Sequence, residues 1–384
     1  MPDLENTATC SLSAGLLILC KKESVFFMRK ALSDLMRLLP QNIDGAIISY
    51  DLNRRYFTGM KSSAGTLLVT RREAQFIVDF RYIEKARETV RDINVILQSD
   101  DIYGQILQFF KKQSAKTIGI EAENLTIADF KRYQEWLSEL QIWDGNELGR
   151  LIDRLRSVKT EEEVSLIEQA QAITDQTFSH ILGVIRLGIT EREIAIEMEY
   201  TMHKLGADGT AFDTIVVSGE NSSLPHGVPS DKKIQPGDFI TMDFGASFLG
   251  YCSDMTRTVA VGKISEEQKR VYDTVLTAQK MAIESISESK IYSDVDKVAR
   301  DYIDQQGYAG CFGHGLGHSL GLFIHEEPRF SPSCREAIGE NIIMTVEPGV
   351  YLPGKFGVRI EDMVLIGKDF VRDLTKSEKK LITL

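Results

Sequence analysis

Asp243 and Asp254 lie eleven residues apart in Asp243-Phe-Gly-Ala-Ser-Phe-Leu-Gly250-Tyr-Cys-Ser-Asp254. The flanking runs Asp238–Met242 and Tyr251–Val261 read as β-strands, and a turn over Ser247–Gly250 sets Asp243 opposite Asp254. Directly opposed side chains have Cβ atoms about 5 Å apart, where like charges are destabilising. Two carboxylates so placed share a proton, with one pKa strongly raised, or hold a cation. We read them as metal ligands because further donors follow the same pattern. Met344–Tyr351 and Val358–Asp362 are strand-like around a turn at Pro353-Gly354, so Glu347 and Glu361 are expected to meet across a second hairpin.

These four acids carry four negative charges, and His318 adds a neutral nitrogen. Two divalent cations would balance them, with carboxylates bridging ions about 3.5–4 Å apart. An oxygen-rich donor set suits manganese, with zinc or cobalt as alternatives. His318 sits in His314-Gly-Leu-Gly-His318-Ser-Leu-Gly-Leu-Phe-Ile-His325, where Gly315, Gly317 and Gly321 argue against a helix. A loop leading into a strand is expected there. Arg359 lies two residues before Glu361, on the same strand face, where it can pair with Asp243 and link to Tyr351.

The elements that position these residues fall into two domains. The chain has 384 residues, 43% hydrophobic and 26% charged, which is a globular composition with room for both. A net charge of −11 argues against nucleic acid or an anionic membrane as the main partner. No run approaches the roughly 20 apolar residues of a membrane span. Cys10, Cys20, Cys252, Cys311 and Cys334 are odd in number and irregularly spaced, which reads as reduced thiols in a cytoplasm. Residues 1–27 read as an N-terminal extension; its apolar run Ala14–Cys20 lacks the basic flank of a secretory signal.

Residues 28–150 alternate helical and strand patterns, an α/β domain with short connections. Its helices are expected near 28–39, from Tyr82, near 102–112 and near 127–139, and its strands at Gly45–Ser49, Thr66–Thr70, Ala74–Asp79, Val95–Leu97 and Thr117–Ile120. A charged stretch, Asp153–Lys159, leads into the second domain, 151–384. There the capping boxes Thr160–Glu163 and Ser265–Gln268 recur 105 residues apart. Second helices with caps at Thr190–Glu193 and Ser293–Asp296 end near Gly206 and Gly307. The recurrence predicts duplicated α/β halves with a site between them.

As a set, Phe212–Gly219, Leu224-Pro-His226-Gly227, the Asp243/Asp254 pair, the histidine segment, Val346–Gly349 and Arg359–Asp362 resemble one metallopeptidase family. It contains Xaa-Pro aminopeptidase, prolidase and methionine aminopeptidase, and its catalytic domain is the pita-bread fold. The resemblance covers roughly residues 150–384, and the preceding region resembles the family's N-terminal domain. The five ligand positions are filled as in active members, unlike metal-free creatinase. Methionine aminopeptidases usually lack the long N-terminal domain and the Arg-Ile-Glu-Asp pattern.

The resemblance implies an α/β (α+β) protein and a dinuclear exopeptidase. Asp243 would bind one metal, His318 and Glu347 the other, with Asp254 and Glu361 bridging. Glu347 would also carry the water's proton to the leaving nitrogen. His325 would stabilise the oxyanion, His226 would hold the proline side, and His314 would line the proline pocket. The implied substrates are peptides with proline at the second position, cleaved by an aminopeptidase. Alternatives are a dipeptidase limited to Xaa-Pro and a binding protein without turnover. A homodimer is the family expectation.

Overall fold

The computed structural model describes residues 30–384; the expected extension over 1–27 and the helix start at Met28 lie outside the described residues. The chain divides between Arg156 and Ser157 into two compact units.

The first unit is built on a mixed six-stranded sheet. Gly45–Ile48 pairs antiparallel with Thr66–Thr70 and parallel with Thr117–Ile120. Asn94–Leu97 and Gln141–Trp143 form its edges. The inner strands read as unbroken apolar runs because both faces are covered, which buries Ile47, Leu68, Ile77 and Ile118 under Phe109 and Phe110. Helix Asp51–Thr58 and strand Gln141–Trp143 were not anticipated. The helix is short and polar, and it is fixed at its start by buried Glu121, which accepts from the backbone N–H of Ser49 and Tyr50 at 2.6 and 2.8 Å. Residues 153–157 of the charged stretch belong to helix Glu147–Ser157. Asp153 and Arg154 lie on its exposed face, Arg156 is buried and donates to Asn53 Oδ1 at 2.9 Å, and Leu148, Leu151 and Ile152 are buried as well.

The second unit contains two helical pairs, each followed by strands. Glu161–Leu182 and Glu191–Lys204 open on full capping boxes at Thr160 and Thr190. Glu266–Ser285 opens on a third, at Ser265. The fourth helix, Tyr292–Ile303, departs from expectation. Its N-cap is Ile291, whose N–H is accepted by Asp294 Oδ2 at 3.3 Å, and Ser293 lies inside the first turn. Only the acidic half of a capping box forms there, and Asp294 makes it rather than Asp296.

Each pair covers its own core. One centres on Met198, Ile240, Met242 and Phe244, the other on Val275, Val295, Phe330 and Met344. The first half carries Ile215–Ser218, Phe239–Phe244 and Met255–Ala260 in one antiparallel sheet. The second carries a five-stranded sheet that includes Gly317–Ser319, Ile342–Val346 and Asp362–Ile366. The halves are joined where Met255–Ala260 meets the segment 358–362: Glu361 N–H donates to Thr256 O at 3.1 Å, and Thr258 Oγ1 donates to Arg359 O at 3.0 Å.

Candidate metal centre

The first hairpin corrects one sequence expectation. Phe248 pairs with Tyr251 and Phe244 with Met255, so Asp243 faces Thr256 rather than Asp254. The turn is the two residues Leu249 and Gly250, at φ 47° and 87°. Two positive φ values match the strand twist as a type I′ turn does, and the turn sits one residue further along than the expected one over Ser247–Gly250. The slip is two residues, so Asp243 and Asp254 keep the same face of the ribbon. Beside them, Ser253 O would lie 1.8 Å from a Cβ at position 245, so only glycine fits there.

In the second hairpin, Val346 pairs with Asp362 and Gly349 with Arg359. Both ladders imply the same register, which sets Glu347 against Glu361 in the gap between them. His318 lies in strand Gly317–Ser319, packed so closely that a Cβ at Gly317 would meet Thr345 O at 2.0 Å. The loop that follows carries His325 before strand Glu326–Phe330 begins, so the segment is strand, loop, strand rather than a loop leading into one strand. The His318 and His325 rings meet edge to face with centroids 4.6 Å apart.

All ten residues named from the sequence lie on or beside one cavity of about 830 Å³ in the second unit. Ligand atoms of Asp254, His318 and Glu361 approach within 4.8 Å of one another. Glu347 Oε1 stands 3.4 Å from His318 Nε2, and Asp254 Oδ2 stands 3.6 Å from the same nitrogen. These are not ion pairs. His318 Nδ1 donates to Ser319 O at 3.0 Å, and burial pushes its pKa down to about 3, so a neutral ring presents the Nε2 lone pair to two carboxylates. Facing lone pairs call for a cation between them.

Two further observations fit a metal. Asp243 Oδ1 and Asp254 Oδ1 are buried without a hydrogen-bond partner, which is costly for carboxylate oxygens. In the cation-free protein, burial drives the carboxyl pKa of Glu347 up to about 8. Burial and then the neighbouring acids raise Asp254 and Glu361 well above the carboxylate range. Acids that resist ionisation together are relieved by positive charge at their centre.

Arg359 organises one wall. It donates to Asp243 Oδ2 at 2.6 Å, to Tyr351 OH at 2.9 Å, to Thr256 Oγ1 at 3.0 Å and to Pro225 O at 3.2 Å. The last contact fastens the Pro225-His226-Gly227 turn to the site. Tyr351 OH donates to His314 Nε2 at 2.9 Å, while His314 Nδ1 donates to Gly315 O at 2.8 Å. Both His314 nitrogens are thereby used, and burial lowers its pKa to about 4. It can offer a substrate only its ring. His226 and His325 are exposed to the cavity. His180 and His203 lie in the helices, away from it.

Sequence reasoning missed several supports. Thr256 donates to Glu361 Oε2 at 2.7 Å, and Thr345 donates to Glu347 Oε1 at 3.2 Å. Each lies two residues from a named acid, so strand alternation was the available signal. Fully buried Glu191 accepts from Ser218 and Ser230, both at 2.6 Å, and anchors the loop that carries His226. No local signal marks it. Arg329 also lines the cavity.

Residues 165–368 match the model of metallopeptidase family M24, and residues 14–158 match the creatinase/prolidase N-terminal domain. The Xaa-Pro dipeptidase of Pyrococcus furiosus is 37% identical over 358 residues, covering 92% of this chain and 100% of that protein. The structure of an Xaa-Pro dipeptidase from Bacillus anthracis aligns with TM-score 0.86 at 37% identity, over 95% of this chain and 100% of that one. An X-Pro aminopeptidase from Thermotoga maritima aligns with TM-score 0.83 at 36% identity, over 89% and 98%. The second unit has the pita-bread fold of these neighbours. With the family model spanning more than half its length and these relatives nearly all of it, the chain belongs to metallopeptidase family M24.

Proposed function

We propose that the protein is an Xaa-Pro aminopeptidase, which hydrolyses the bond between the first residue of a peptide and a following proline. The observation that carries this reading is the cavity. Besides the four acids it is lined by Pro225 and Pro229 and by Arg192, Ile196 and Glu199 of helix Glu191–Lys204. That leaves room for chain beyond the proline. The activities in the names of the P. furiosus and T. maritima relatives support proline specificity.

On this reading Asp243, Asp254, His318, Glu347 and Glu361 hold two divalent cations, manganese by preference. Bound cations lower the pKa of a water and polarise the scissile carbonyl. Glu347 takes the proton of the attacking water and delivers it to the proline nitrogen, a poor leaving group until protonated. His325 donates a hydrogen bond to the oxygen that gains charge. His226 orients the proline side, and His314 lines its pocket with a ring edge. Arg359 fixes Asp243, and Tyr351 steadies Arg359. The unit that begins at Ser157 is the catalytic domain and the one before it the accessory one, in a cytoplasmic homodimer.

A dipeptidase is the second reading, favoured by Arg329, a cation in the cavity wall able to pair with a free proline carboxylate. Manganese-loaded protein should be assayed on an Xaa-Pro dipeptide and an Xaa-Pro-Yaa tripeptide. Cleavage of the tripeptide with release of its first residue supports the aminopeptidase. Cleavage of the dipeptide alone, lost in Arg329→Gln, replaces it with the dipeptidase.

A further inference from the structure

Lys159 lies outside the cavity, in the short link before helix Glu161–Leu182. Its side chain is 0% exposed and meets Glu326 Oε2 at 2.9 Å. A buried ammonium is expensive to desolvate, so the pair persists only where the surroundings hold both partners. The lysine end is well anchored: Lys159 N–H donates to Asn341 O at 2.7 Å, and the Thr160 capping box begins at the next residue.

The glutamate end controls a catalytic loop. Glu326 follows His325 directly, and its other oxygen accepts from Phe323 N–H at 3.2 Å. One carboxylate therefore ties the residues on both sides of His325. Lys159 also reaches Ser319 Oγ, at 3.4 Å, on the far arm of the same loop. Gly321 leaves room for this arrangement, because a Cβ there would stand 2.9 Å from Glu326 Oε2. The loop itself has no strand pairing between Leu320 and His325.

We propose that Lys159 is a positioning residue, which fixes the Leu320–His325 loop so that the His325 imidazole faces the scissile carbonyl. The proposal rests on the oxyanion role assigned above to His325. Its test compares wild type, Lys159→Met, His325→Ala and the double variant on one Xaa-Pro peptide, with bound manganese measured for each.

A misplaced catalytic group costs on the order of 10- to 100-fold, so Lys159→Met should lose about that much kcat, with KM and manganese content unchanged. In the His325→Ala background the same substitution should cost no more than about twofold, because two changes that act through one group are not additive. Equal losses in both backgrounds, or a Lys159→Met variant with full kcat, overturn the proposal while leaving the role of His325 intact. Full kcat in His325→Ala removes that role and the proposal with it. Glu326→Gln keeps size and hydrogen bonding while removing the charge, so it must show the same pattern even if Lys159→Met does not fold.

Discussion

The guanidinium of Arg359 and the carboxylate of Asp243 are joined at 2.6 Å across the junction of the two halves of the fold. The contact uses one Asp243 oxygen and leaves the other buried without a hydrogen-bond partner. Arg359→Met should therefore release Asp243 and weaken manganese binding by roughly 10- to 100-fold in calorimetric titration. Loss of a positive charge would alone favour cations, so a net weakening isolates the orienting role. Arg359→Lys restores little, since an ammonium cannot reach Asp243, Tyr351 and Thr256 together. Tighter binding in Arg359→Met would show that charge outweighs orientation.

Glu347→Gln preserves shape and the hydrogen bond from Thr345 while removing the proton carrier. The kcat should fall by about 10²- to 10⁴-fold, with an unchanged circular dichroism spectrum. Residual activity near wild type would assign the proton transfer to another group.

The two histidines exposed to the cavity, His226 and His325, should separate kinetically. His325→Ala removes an interaction made only as charge develops, so kcat falls by roughly 10²- to 10³-fold with little change in KM. His226→Ala loosens the proline side and should act mainly through KM. Steady-state kinetics on one peptide distinguishes them; the reverse pattern would exchange the two roles.

Stability of the metal-free protein should fall as pH rises from 6.5 to 8. Glu347, held at about 8 by burial, and the raised Asp254 and Glu361 bind more protons folded than unfolded in this range. Each such group lowers stability by up to about 1.4 kcal/mol per pH unit. Neutral buried His318 and His314, at about 3 and 4, have the opposite sign, but their contribution changes only below about pH 6.5. Calorimetry in EDTA should show the melting temperature dropping over this window, and manganese should abolish the drop. A flat metal-free profile would mean that the acids are not crowded as described.

Most of this site was legible because its donors sit in short strands beside turns, where a period of two assigns faces. Glu347 and Glu361 came out in register because Pro353-Gly354 marks their turn clearly. Asp243 and Asp254 did not, since Leu249 occupies a left-handed position that its side chain does not advertise. Asp254 was still placed on the right face because the slip was even; a slip of one would have sent it outward. Long-range supports such as Glu191 and Lys159 act on segments 27 or more residues away, and nothing in their local sequence points to them. Helix Asp51–Thr58 escaped for a similar reason: the acid fixing its start, Glu121, is 70 residues distant.

Fully buried Arg257 lies on the first half's strand Met255–Ala260 and clasps carbonyls or carboxylates of Glu361, Asp362 and Ser377 from the second. The duplicated halves are thus no longer separable modules. Cutting the chain between them would strip the Arg257 guanidinium of its carboxylate partner, while Asp362 would keep Lys379 and Gln279, so the first piece would carry an unpaired charge and neither could inherit half of the activity.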